Sequence, residues 1–177
     1  MAEDNFGFVE MQVVSFEDLY AGKFLAALDR QHPRDLFDVQ SLLVTDKMSK
    51  DLKVAFLVYL ISHNRRIIEI LNPGKKDITK EFATSFNGMT NLPIKVEDLL
   101  KSRELLIKLI NNNLDISDKN FLLGFVEGNP DWNHFSLTHI KDLPAVKWKQ
   151  YNLNQITSND KRKLINELRT YLATPNY

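Results

Sequence analysis

The run Leu19-Tyr20-Ala21-Gly22-Lys23-Phe24-Leu25-Ala26-Ala27-Leu28-Asp29-Arg30, followed by His32-Pro33-Arg34-Asp35-Leu36-Phe37-Asp38-Val39, decides how the fold is read. Apolar residues recur in it at spacings of three and four, the period of a helix with one buried face. Ser15, with Asp18 three residues on, is a capping signal for a first helix running to about Arg30. Pro33 suits the first position of a second helix, to about Val44, because its missing N–H would have no partner there. On a 3.6-residue wheel Lys23 falls between Leu19 and Tyr20 on one side and Ala26 and Ala27 on the other, so a charge interrupts the apolar stripe. Asp35 and Asp38 share a face with Leu42, again where apolar residues are expected.

The same period extends downstream. Ser49 can cap a helix over 50–63, apolar for eight consecutive positions and therefore buried on most sides. After the Asn72-Pro73-Gly74 turn come a short helix over 77–86, a connection over 88–93 and a long helix over 96–114. Ser117 caps the next helix, which Gly128-Asn129-Pro130 ends; Pro144 starts another to about Asn154, and Ser158 or Asn159 caps the last, to about Leu172. With six Gly, six Pro and no internal repeat or flexible linker, the chain reads as mainly α, a helical bundle. Residues 6–14 are the one strand candidate. A lone strand needs a partner sheet, and none is evident downstream, which suggests that the sequence begins inside a fold whose earlier part lies elsewhere. The seam is expected near residue 45, dividing residues 1–45 from a helical bundle domain over 46–177.

Composition narrows the function. Lys plus Arg and Asp plus Glu number 23 each in 177 residues, so no global positive charge draws in nucleic acid and any polyanion site must be local. The absence of cysteine excludes disulfides, thiolate zinc sites and thiol nucleophiles, and fits a reducing cytosol. The most apolar run, 54–61, is far shorter than the roughly 20 residues of a membrane-spanning helix, and the acidic start Met1-Ala2-Glu3-Asp4 is unlike a secretory signal. A cytoplasmic protein with no membrane contact is the expectation.

Two readings of the charged residues stand side by side. Lys23 is either a snorkelling stem whose ammonium reaches water or a carboxylate, or a phosphate-binding lysine in a cleft. Asp35 and Asp38 either pair with Arg30, Arg34 or Lys23, or hold a cation or nucleotide group near a helix N-terminus. Arg103, at the centre of the stripe formed by Val96, Leu99, Leu100, Ile107, Ile110 and Leu114, calls for a buried ion pair. His134 and His139 are five apart with no zinc motif around them and read as loop or packing residues. Arg65-Arg66, Lys75-Lys76 and Lys161-Arg162-Lys163 read as solvated faces, and Phe121, Phe125, Trp132, Phe135, Trp148 and Tyr151 as core.

The two opening stretches resemble the third and fourth motifs of the AbiEii/AbiGii toxin family, nucleotidyltransferase-fold proteins of bacterial type IV toxin–antitoxin and phage-abortive systems. The resemblance continues through Ser62-His63-Asn64-Arg65, Phe86-Asn87-Gly88-Met89-Thr90, Pro130-Asp131-Trp132 and the run from Asp142-Leu143-Pro144 to Lys149, covering about 13–153. It implies that Lys23, with Arg34, binds a nucleoside triphosphate and that Asp35, or else Asp38, is the fourth-motif carboxylate. It also implies that residues 6–14 are a remnant of the family's nucleotidyltransferase sheet. The family's metal-binding motif, a Gly-Ser turn followed by Asp-x-Asp, has no counterpart: the 177 residues contain no Gly-Ser dipeptide and no two carboxylates separated by one residue. Mg²⁺ and the triphosphate belong to a complete family member, and this chain offers no metal site of that kind. The chain is thus expected to be the C-terminal part of a toxin that would transfer a nucleotide to RNA or another acceptor, inactive alone, with an antitoxin or an upstream fragment as partner. The alternative is a non-catalytic helical module that binds an antitoxin or a homologous chain, including a homodimer through residues 6–14.

Overall fold

The computed structural model describes residues 10–43 and 48–174. In chain order its helices are α1 (Phe16–Asp29), α2 (Pro33–Leu43), α3 (Lys50–Ser62), α4 (Ile67–Leu71), α5 (Thr79–Ser85), α6 (Val96–Asn113), α7 (Ile116–Glu127), α8 (Pro144–Gln155) and α9 (Ser158–Ala173). Two 3-10 turns, Trp132–His134 and Thr138–Asp142, stand between α7 and α8. The fold is mainly α, as the periodicity implies. Of the five-residue helix α4 the pattern gave no sign, since fewer than two turns show no period.

Most helix starts follow from local chemistry. Ser15 Oγ accepts from the Asp18 amide at 3.2 Å and Ser49 Oγ from the Leu52 amide at 3.1 Å, each satisfying an otherwise unpaired donor. Two caps lie one residue or more ahead of the expected position. Asp115, not Ser117, caps α7, its carboxylate accepting from the amides of Ser117 and Asp118 at 2.8 and 3.0 Å. Thr157, not Ser158 or Asn159, caps α9 by accepting from the Asp160 amide at 3.2 Å. Both carry the extended backbone of a cap, ψ 177° and 151°, and that geometry selects among neighbouring capping residues. Gly128, at φ 89°, ends α7 in the left-handed region that glycine enters without strain.

Residues 6–9 of the expected strand lie outside the described residues, as does the seam at 44–47. Residues 10–14 take no regular structure, so the strand reading is corrected over that stretch: among the described residues no strand stands beside them to share backbone hydrogen bonds. Met11, Val13 and Val14 are exposed.

One apolar core joins residues from both sides of the seam, including Phe24 and Leu28 of α1, Val39 of α2, Phe56 of α3, Leu106 of α6 and Phe125 of α7. α1 packs against α2 and α3, α2 against α6, and α9 against α7. Among the described residues no helix is long and apolar enough to cross a membrane.

Candidate functional site

Lys23 and the aspartates of α2 meet where α1 and α2 pack. Lys23 Nζ donates to Asp38 Oδ2 at 2.7 Å and stands 6.0 Å from the centre of the Tyr20 ring. The side chains of the pair are 31% and 44% exposed, so the charges sit at the rim of the packed face rather than within it. Asp35 turns elsewhere. Its Oδ1 accepts from Arg30 at 2.9 Å, while its Oδ2 is buried with no hydrogen-bond partner among the described residues. Arg34 is exposed and reaches α5, its Nε donating to the Ser85 carbonyl at 3.1 Å, where a cation complements the helix C-terminus. Lys23 and Asp38 are thus brought into contact, whereas Asp35 and Arg34 point to other neighbours.

The turn between α1 and α2 holds these residues in place. Gln31 is buried and has φ 53°, a conformation that a non-glycine residue keeps only when its surroundings enforce it. Its side chain supplies the enforcement: Nε2 donates to the Gly74 carbonyl at 2.8 Å, and Oε1 accepts from Arg103 Nε at 2.8 Å and the Lys76 amide at 3.2 Å. Arg103 is buried, as the stripe on α6 implied, and pairs with Glu104 while also donating to the Pro73 carbonyl. Lys76 Nζ then binds the carbonyls of Asp29 and Arg30 at 2.9 and 3.1 Å, closing the end of α1. Nothing in the local pattern marked Gln31; its role arises from groups more than 40 residues away.

A Mg²⁺ site of the two-carboxylate kind does not fit this arrangement. Asp35 and Asp38 face different cations, and among the described residues no group of three His, Asp or Glu is placed to hold a metal.

The remaining candidates resolve structurally. His134 stacks on Phe121 at 5.1 Å, bonds Ser117 Oγ through Nδ1 at 2.9 Å and approaches buried Asp118 through Nε2 at 3.0 Å. The order Ser-His-Asp resembles a nucleophilic relay, but the amides of Ser117 and Asp118 already donate to Asp115 and cannot serve an oxyanion. The network fastens the Trp132–His134 turn to α7. The basic residues Arg65 and Arg66 are paired with Asp29, Glu69 and Glu167. Phe121, Phe125 and Phe135 are core, but Trp148 and Tyr151 are not: they are 62% and 56% exposed and stack on each other at 5.7 Å. Beside them Lys149, which no spacing singled out, is buried.

A family model described as nucleotidyl transferase AbiEii toxin, type IV TA system, matches residues 1–150. Comparison with curated proteins and with solved structures gave no match.

Proposed function

The chain belongs to the AbiEii nucleotidyl transferase toxin family, and on that premise we propose that it carries the nucleotide-gripping part of an enzyme that moves a nucleotide from a nucleoside triphosphate to RNA or another acceptor. The observation that carries this reading is the contact between Lys23 and Asp38, which lie in the two stretches that resemble separate family motifs and meet at 2.7 Å on a solvent-reached face. On arrival of a triphosphate, Lys23 exchanges Asp38 for phosphate oxygens, a swap between two anions that costs little at this exposure. Arg34, held on the Ser85 carbonyl, would leave that partner to add its charge to the same anion at the start of α2. Asp35, paired with Arg30 at 2.9 Å, is the second carboxylate at the start of α2 and would orient the reacting group once it exchanges that partner.

Because the 177 residues hold no Asp-x-Asp pair, the second part of this reading is that the chain alone binds nucleotide without transferring it. Membership in a toxin–antitoxin family makes an antitoxin the natural regulatory partner. Titration with a fluorescent triphosphate analogue should give saturable binding that Lys23→Ala weakens about tenfold, the scale of one charge-assisted contact. Incubation with labelled triphosphates, Mg²⁺ and total RNA should give no incorporation. Equal binding by Lys23→Ala removes the site, and robust incorporation that Lys23→Ala abolishes removes the claim of inactivity.

The exposure of Met11, Val13 and Val14, at 76%, 81% and 60%, favours a second reading, a non-catalytic module that binds a homologous chain through this segment.

A further inference from the structure

Lys149 is 6% exposed, and burial pushes its ammonium down to about 8. Nζ donates to the carbonyls of Leu60, in the last turn of α3, and Arg65 at 3.1 and 2.8 Å. Two of its three N–H groups are thereby used, and among the described residues no carboxylate lies within ion-pair distance. Charged and titratable groups around it include His63, Arg65 and Arg66 from the segment after α3 and Glu69 of α4. Both arginines already have carboxylate partners. Lys149 lines a cavity of about 300 Å³, with Ser62, Asn64 and the ion-paired Arg65 and Arg66 supplying polar wall and Trp148 and Leu164 apolar wall. The Trp148 ring stays open to solvent yet is held flat against Tyr151, at an interplanar angle of 16°.

We propose that this cavity is a binding site for a small organic monoanion with a flat apolar body, its carboxylate on Lys149 Nζ and its ring on Trp148. A desolvated cation with a spare N–H, whose nearest counter-charge, Glu69, acts on it only without contact, gains from an anion far more than a surface lysine does. Its size lies at the lower end for small-molecule sites, about 300–1,000 Å³. The apolar wall selects an aromatic acid over inorganic phosphate, and because Arg65 and Arg66 in the same wall are already ion-paired, the one cation left without a direct carboxylate selects one negative charge over several. The site is separate from the face that carries Lys23.

Calorimetric titration of the full chain with 1-naphthoate tests this. Saturable binding is expected at pH 7 and about tenfold weaker binding at pH 9.5, where Lys149 has lost its proton while the probe keeps its charge. His63, held below its usual 6.5 mainly by burial, is neutral at both values and does not contribute. Trp148→Ala, an exposed position whose loss does not open the core, should weaken binding, and so should Lys149→Met if it folds. The neutral analogue 1-naphthalenemethanol should bind at least tenfold more weakly. Equal binding of alcohol and acid, pH-independent affinity, no saturation, or loss of binding in Lys23→Met each overturns the proposal.

Discussion

Lys23 keeps its ammonium on Asp38 at the edge of the α1–α2 contact, and the exposure of both partners decides what the pair is worth. Ion pairs at this exposure contribute about 0–1 kcal/mol, far below the buried Lys23–Asp35 pair that an apolar face would have demanded. Lys23→Met, Asp38→Asn and the double variant, compared by urea unfolding, should therefore show a coupling under about 1 kcal/mol. A coupling of several kcal/mol would make the pair a structural fastening rather than a ligand-exchange site. Arg103 is the contrasting case, because its removal strands the Pro73 carbonyl and leaves the buried Gln31 oxygen with the Lys76 amide alone. Arg103→Met should cost about 1–3 kcal/mol, the penalty of leaving buried acceptors unpaired, and should loosen the turn that holds Lys23 against α2. Hydrogen exchange at the amides of residues 29–36 would report that loosening, which a purely distant loss of stability would not produce. Lys23 and Asp38 were legible as interruptions of an apolar stripe; Gln31 was not, since its importance lies in contacts with Gly74, Lys76 and Arg103.

At the level of elements, the start of α7 carries a pH response. The Lys53 ammonium, followed by the Asp118 amide, holds the Asp115 carboxyl down from its usual 3.8 to about 2. A carboxyl depressed in the folded state stabilises the fold above its unfolded value and loses that contribution as pH falls to 2. Asparagine caps a helix as well as aspartate, so Asp115→Asn removes the charge interaction and leaves the cap. The variant should be less stable than the parent at pH 7, and the gap should close between about pH 4 and 2 in parallel acid titrations. A gap that persists at pH 2 would mean that the cap, not the ion pair, is at stake. The other end of α7 makes a steric prediction. A Cβ on Gly128 would meet Lys161 Nζ at 3.2 Å and Asn154 Oδ1 at 3.3 Å, in a backbone conformation already unfavourable to other residues. Gly128→Ala should lower stability by about 1 kcal/mol or more in thermal unfolding. These helix ends were readable from Gly and Pro positions, while the choice between adjacent capping residues at 115–117 and 157–159 was settled by which backbone turned outward.

For the whole molecule, apolar packing runs without a break from α1 to α9, and the chain should unfold in one transition rather than in two steps divided near residue 45. Among the described residues, Met11, Val13 and Val14 form one exposed apolar segment. If a second chain covers it, Val13→Asp with Val14→Lys should shift light scattering toward monomer at high concentration, and an unchanged mass would count against that interface. By itself the sequence determined the mainly helical class, most helix ends, the buried state of Arg103 and the family, because periodicity, capping chemistry and motif spacing are local properties of the chain. Only the tertiary structure decided that Lys23 pairs with Asp38 while Asp35 pairs with Arg30, that Trp148 and Tyr151 face solvent, and that Lys149 lies buried beside an open cavity. Those outcomes depend on which distant helix fills the space opposite each side chain, and no local pattern carries that information.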